Sequence, residues 1–404
     1  MWYAGIDWAD LHHDALIINE KGHQVGSLRI DHTPQGFAKL NTFLQQIIGT
    51  EPKEHMACII ETTHGLLIAH LLEAGWPVYP VNPRTVDRRR SASGAKTDTI
   101  DAYLLAKTGR ADFTDLRRLI PDSELVAELK TLTRDQNALI QMQTRLVNQL
   151  TACLKAYYPI ALELFAKLQQ HTTLVFLQTY PTPQAAMGAS AEQIARVLKE
   201  ARHPNPKATA SKVFEQLHGP HLLADSVTTR TKARLMLALL SQLQPLIEQI
   251  AQYDKEIDTL FLTHPDQPIW SSLPRAGQRL APRLLAEIGD DRARYQDASS
   301  LQALAGTSPV LFQSGMYSKA HRRLGCIKPL RNALHQFAWQ STQSEPWARD
   351  YYQRKRAEGK SHTVAVRALA NVWVRIIFAM WSHHCCYQTT IFEHAQQQHA
   401  PRAA

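Results

Sequence analysis

Cysteine is scarce: the 404 residues hold five (Cys58, Cys153, Cys326, Cys385, Cys386), in no paired framework. That excludes a disulfide-stapled secreted scaffold and fits a reduced, cytoplasmic compartment. No uninterrupted apolar run approaches the roughly 20 residues that a membrane span needs. The N-terminus, MWYAGIDWAD, carries Asp7 and Asp10 where a signal peptide is basic and then apolar. Acidic residues are the minority, 36 against 45 Lys and Arg, which leaves a net charge of +9. Such an excess favours a polyanionic partner, nucleic acid ahead of an anionic membrane surface. No glycine-rich phosphate loop is visible, so no ATP requirement is expected. HHCC at 383–386 lacks a second pair at zinc-finger spacing and reads as a helix end.

What is present is strongly patterned. At 44% hydrophobic and 20% charged residues the composition is globular, and the length implies two or three domains. Residues 2–7 read as a short apolar strand ending at Asp7. Two β-rich runs around EKGH (14–30) predict a hairpin. TPQGFAKLNTFLQQII (33–48) has helical spacing after a Thr-Pro start. MACIIE (56–61) predicts a buried strand ending in Glu61, HGLLIAHLLEAG (64–75) a helix stopped by Gly75, and PVYPV (77–81) a further strand. A helix then starts near Asp98. Three strands followed by alternating helix and strand predict an α/β domain over 1–112.

Residues 113–265 predict a helical, coiled-coil region. One heptad runs through Leu125, Leu132, Leu139, Leu146 and Cys153, with Leu129, Gln136, Gln143, Leu150 and Tyr157 four residues on. A second runs through Leu239, Leu243, Leu246, Ile250, Tyr253, Ile257 and Leu260, with a kink expected at Pro245. These helices are expected to pair within one chain or to mediate oligomerisation. Between them, 161–225 contains Pro181, Pro183, Pro204, Pro206 and Pro220 and one clear helix (190–203), and otherwise reads as loop-rich. A mainly α domain follows over 266–386, with helices at 297–305, 327–343, 346–358 and 362–382, and 387–404 is expected to be a disordered tail.

GAKTDTIDAYLLAK (94–107) sets Asp98 and Asp101 three residues apart at a helix start. By themselves they read as capping: Thr97 or Asp98 at the N-cap, Asp101 in the first turn where the helix dipole favours anions. Asp7 and Glu61 change the weighting. Both end strands, where an ionised carboxylate is costly to bury unpaired. Four converging carboxylates would repel one another, and Mg²⁺, or Mn²⁺ in its place, would relieve them. A basic protein with an oxygen-only site points to phosphodiester chemistry.

GIDWAD, IIETT and KTDTIDAYLLA, in that order, resemble the RuvC-like, RNase H-like domain of the DEDD insertion-sequence transposases. This is the insertion-sequence 110 family, with DNA invertases and bridge-RNA-guided recombinases among its relatives. The resemblance covers about 1–112 and 268–382. It implies that Asp7, Glu61, Asp98 and Asp101 are catalytic, metal-binding acids. SLQALAGTSPVLFQSGMYSKAHRRLGCIKPLRNALHQFA (300–338) resembles the family's transposase domain, which implies that Ser314 is the nucleophile. A serine beside Gly315 can lie in an exposed turn where backbone approaches a phosphate. Ser308 and Ser318 are nearby but lie outside the QSG match. The basic run Lys319, His321, Arg322, Arg323, Lys328 and Arg331 either contacts the DNA backbone or forms a solvated face. LPRAGQRLAPRLLAEIGD (273–290) resembles the family's helix-hairpin-helix-like entry, with Arg275 where a glycine usually follows the proline. Either Arg275, Arg279 and Arg283 supply phosphate contacts there, or the element is a core helix. No contact is assigned to Trp373 or Val374 in the closing helix.

The resemblance implies a site-specific DNA transposase or recombinase of a mobile element. In that family the acids hold Mg²⁺, which activates Ser314 to attack a phosphodiester. A covalent phosphoserine forms, and a freed 3′-hydroxyl attacks the exchanged strand. The implied partners are DNA at element ends and target, a structured guide RNA, and further copies of the chain in a dimer or tetramer that shares a composite site. The implied location is cytoplasmic and nucleoid-associated, without a membrane. Two other readings compete: a RuvC-like junction-resolving endonuclease that uses water, with Ser314 structural, and a non-catalytic nucleic-acid-binding scaffold.

Overall fold

A computed structural model describes residues 1–87, 97–315 and 317–390. The chain divides into two compact units, Met1–Pro121 and Asp122–Ala404.

The first unit is built on a five-stranded sheet in the order β3-β2-β1-β4-β5. Strands β1 (Trp2–Trp8), β2 (His12–Asn19) and β3 (Gln24–Asp31) form an antiparallel meander. β4 (Met56–Ile60) lies parallel beside β1, and β5 (Val78–Pro80) parallel beside β4. Helix α1 (Pro34–Ile48) starts at Thr33, whose Oγ1 accepts the Gly36 N–H at 3.1 Å. Helices α2 (Leu66–Glu73), α3 (Pro83–Asp87) and α4 (Asp98–Ala111) follow. One sheet face packs Ala4, Ile6, Ile17 and Cys58 against Leu40, Leu44 and Leu71 of α1 and α2. The other packs Tyr3, Leu16 and Ile59 against Ala102, Leu105 and Ala106 of α4. Burial on both faces explains why β4 reads as an unbroken apolar run. The unit extends past the expected limit at 112. Leu116 and Leu119 pack onto its two cores, and the Leu119 N–H donates to the Val78 carbonyl at 2.7 Å.

The second unit begins with α5 (Glu124–Tyr157) and returns along α10 (Ser226–Leu262). The pair is antiparallel and lies within one chain. Gln136 Nε2 donates to Asp254 Oδ1 at 2.8 Å near one end, and the Cys153 thiol reaches the Lys232 carbonyl at 3.4 Å near the other. Of the two expected α5 sets, Leu129, Gln136, Leu150 and Tyr157 are buried. Leu125, Leu132, Leu139 and Leu146 are only half-buried, and Val126, Thr133 and Leu154 complete the stripe instead. A helix that packs against more than one neighbour buries a broader, shifted stripe than a two-helix seam does. α10 runs on through the exposed Pro245.

The segment read as loop-rich contains four helices: α6 (His171–Thr179), α7 (Pro183–Met187), α8 (Ala191–Glu200) and α9 (Pro206–His218). Two of its prolines start helices. Pro183 and Pro206 occupy first positions, where the missing N–H costs nothing. Ser190 and Gln193 close a capping box on α8.

The remainder comprises α11 (Gln267–Ser271), α12 (Gly277–Ile288), α13 (Ala298–Leu304), the antiparallel ribbon β6 (Val310–Ser314) and β7 (Tyr317–His321), then α14 (Lys328–Ser341), α15 (Pro346–Ala357) and α16 (His362–Ser382). These helices share a core with Leu129 of α5 and with Ile257 and Phe261 of α10, so residue 265 is not a domain boundary. α16 is long and apolar enough to cross a membrane by length and composition. Its Leu369, Trp373, Val374, Ile377 and Trp381 lie in that core, which accounts for the apolarity. The start of the expected tail is tied down: the Tyr387 and Thr389 hydroxyls donate to Glu345 Oε2 at 2.9 and 3.2 Å. Residues 391–404 lie outside the described residues.

Candidate functional site

The acids are placed by the sheet and by one helix. Ile6 of β1 registers with Ile60 of β4, so the next residues along the two parallel strands, Asp7 near the end of β1 and Glu61 just past the end of β4, stand at neighbouring positions. Thr97 caps α4, its Oγ1 accepting the Ile100 N–H at 3.2 Å, and this puts Asp98 and Asp101 in the first turn. Capping therefore belongs to Thr97, and both aspartates are free of that task. α4 lies close on β1 because Gly5 has no side chain: a Cβ there would sit 1.9 Å from the Ala102 carbonyl oxygen.

The acids converge electrostatically on Asp7. Burial first, and then the negative charges of Asp101, Asp98, Glu61 and Asp14, together raise its carboxyl from 3.8 to about 6. Asp101 is buried and Asp98 exposed. The donor set is carboxylate oxygen only, and its repulsion is what a hard divalent cation relieves, so the residues fit Mg²⁺ or Mn²⁺.

Three neighbours were not singled out by the sequence. Arg29 stands directly opposite Asp14 across β2–β3 and grips it with Nε and Nη2, at 3.0 and 2.8 Å from Oδ2. Arg29 Nη2 also donates to Asp98 Oδ2 at 3.0 Å, and His12 Nε2 lies 3.2 Å from the same oxygen. His12, Asp14 and Asp98 offer three possible ligand atoms within 4.8 Å of one another. This tighter group shares only Asp98 with the four acids. Its signal in the sequence is HHD at 12–14, which becomes informative only once β2 is known to lie beside β1.

In the second unit Ser314 ends β6 and registers with Tyr317 of β7. Gly315 follows at φ +55° with open space around its Cα, so the serine stands at the exposed tip of a two-stranded ribbon. Ser318 is across the ribbon, opposite Gln313, and Ser308 precedes it. Lys319 and Arg322 are exposed, Arg323 and Arg331 half-buried, and Lys328 starts α14.

The hairpin at 273–290 resolves as a core helix. Arg279 is held by Asp254 through two bonds of 2.7 and 2.6 Å, so it is committed to an ion pair. Arg283 is buried, and burial lowers its pKa. Arg275 is exposed and adopts φ +61°, the left-handed conformation that favours glycine. Trp373 is fully buried and donates to Ser341 Oγ at 2.8 Å.

Comparison with known proteins matches two stretches of the chain, the first running past the end of the first unit through α5. A DEDD-type family model described as "Transposase" matches residues 4–159, and one described as "Transposase IS116/IS110/IS902 family" matches 268–353. The chain is 32% identical to the mini-circle putative transposase for IS117 of Streptomyces coelicolor over 412 aligned positions, covering 99% of this chain and 97% of that protein. It is 30% identical to the IS116 uncharacterized 44.8 kDa protein of Streptomyces clavuligerus, covering 94% of each. With the IS900 uncharacterized 42 kDa protein of Mycobacterium paratuberculosis the identity is 27%, over 95% and 96%.

Proposed function

This chain belongs to the IS116/IS110/IS902 family of transposases, which cut DNA and transfer strands, and from that premise we propose how its residues do so. Asp7, Glu61, Asp98 and Asp101 hold divalent metal, and Ser314 is the nucleophile. The observation that carries this reading is the convergence of three acids on the half-buried carboxyl of Asp7, from two strand ends and one helix start. Bound there, a divalent ion supplies charge stabilisation at phosphate oxygens and makes a hydroxyl a better nucleophile at neutral pH.

The chain's own groups account for the rest. Ser314, at the tip of an open turn, can reach a phosphate without its own fold in the way. Its Oγ bonds to phosphorus, its proton leaves to solvent, and the 3′-oxygen of the cut strand departs. A 3′-hydroxyl from the exchanged strand then attacks the phosphoserine and returns the serine. The high-energy bond is kept throughout, which agrees with the lack of a nucleotide-binding loop. Lys319, Arg322, Arg323, Lys328 and Arg331 neutralise backbone phosphates near the ribbon. Arg275, exposed beside α12, is a peripheral contact of the same kind, whereas Arg279 is occupied by Asp254. A structured guide RNA selects the sites and the enzyme works in the cytoplasm on the nucleoid. The α5–α10 seam is used inside the chain, so the dimer or tetramer draws on other surfaces.

The test is strand cleavage by the full chain on DNA carrying an element end, with Mg²⁺. Asp7→Asn and Asp101→Asn should each reduce cleavage to background while DNA binding is retained. Cleavage at wild-type rates in either variant would remove the four-acid site from the reaction. Sequencing of co-purifying RNA tests the guide: no enriched structured species would argue for site choice by protein alone.

A further inference from the structure

Four arginines of the second unit are matched with acids. Arg134 grips Glu287, Arg279 grips Asp254, Arg292 grips Asp266 and Arg294 pairs with Asp122. One cluster of arginines has no such match. Arg331 and His335 stand one turn apart on the same face of α14, α16 packs on α14, and Arg322 and Arg323 leave the end of β7 just before it. Among the described residues, none of Arg322, Arg323, Arg331 and Arg367 has a carboxylate partner. Arg323 Nε and His335 Nε2 are buried without a hydrogen-bond partner, and Arg331 Nη1 reaches only the Cys326 sulfur at 3.4 Å.

The groups feel one another. Burial first, and then the charges of Arg331, Arg367 and Arg322, together lower the His335 imidazole to about 4. Burial and then Arg322 lower Arg367 in the same way. Three guanidinium charges acting on a half-buried histidine cost folding free energy, and orphaned buried donors cost more. Native structures keep such an arrangement where an anion completes it. Guanidinium forks match the paired oxygens of a phosphate, and exposed Lys319 and Lys328 nearby continue the positive track that a nucleic-acid backbone follows.

We propose that Arg322, Arg323, Arg331, His335 and Arg367 form a built seat for a single backbone phosphodiester of DNA at the base of the β6–β7 ribbon. His335 and Arg367 are its inner members, and neither belongs to the basic run visible in the sequence. The seat fixes the register of the strand relative to the ribbon. The assignment to DNA rests on the transposase reading above.

The experiment is DNA binding by the full-length protein as a function of salt, for wild type, Arg367→Gln and the exposed Arg322→Gln. Each substitution should weaken binding and reduce the slope of log affinity against log salt by about one, the signature of one lost phosphate contact. Melting of the DNA-free protein separates this from a structural role. Arg367→Gln should melt no lower than wild type, because it relieves repulsion, and added inorganic phosphate should stabilise wild type more than the variant. Wild-type slope and affinity in both variants would overturn the seat while leaving the transposase reading intact. A wild-type chain that fails to bind DNA would instead overturn that reading and, with it, the seat's assignment to DNA. Variants that lose affinity for a structured RNA and keep it for DNA would overturn the assignment as well.

Discussion

In the proposed reaction Asp7 is the residue on which the acid cluster converges. Its carboxyl titrates near 6 because it is half-buried and faces other acids. A folded-state pKa above the unfolded value stabilises fully below the unfolded pKa of 3.8, and the contribution is lost as pH rises through about 6. In chelator, the melting temperature should therefore fall over that window, and Asp7→Asn should flatten this part of the profile; an unchanged profile would count against the convergence. Arg275 offers an opposite test. Its φ of +61° strains a side chain that makes no needed contact, so Arg275→Gly should raise stability by about 1 kcal/mol in urea unfolding. A loss of stability would mean the side chain has a role. Asp7, Glu61, Asp98 and Asp101 stand out in the sequence because they are acids at strand ends and in one helical turn. Asp14, Arg29 and His12 do not, since their meeting depends on the β2–β3 register and on where α4 docks.

Elements were more legible than their partners. The strands, α1 and the last three helices follow their periodicities and caps closely. The proline-rich insert did not, because proline at a first helical position and proline in a loop look alike until the cap is placed, as Thr182 before Pro183 shows. The heptads predicted two long helices, yet α5 buries a stripe shifted by one residue over half its seam. One close approach sets the placement of the α4 acids: α4 rests on β1 at Gly5. Gly5→Ala forces a methyl group against the α4 backbone, where it would be 1.9 Å from a carbonyl oxygen. It should destabilise the protein by on the order of 3 kcal/mol and displace Asp98 and Asp101. Unfolding curves and metal titration measure the two effects, and wild-type values in both would contradict this packing.

At the scale of the whole molecule, a mixed α/β N-terminal part followed by a mostly helical remainder was foreseeable from the change of pattern after residue 112. That the helical hairpin and the C-terminal helices share one core was not, because Leu129, Ile257 and Phe261 meet the C-terminal helices only across long sequence separation. The serine and the acids belong to different units, and the proposal joins them in one reaction. That claim is tested most directly by a denaturing gel of the full-length protein incubated with labelled element-end DNA and Mg²⁺. Wild type should retain label on the protein band, and Ser314→Ala should bind the DNA but carry none. Cleavage by wild type with no protein-bound label, or a labelled band in Ser314→Ala, would contradict the serine mechanism and favour water as the nucleophile or another residue in its place.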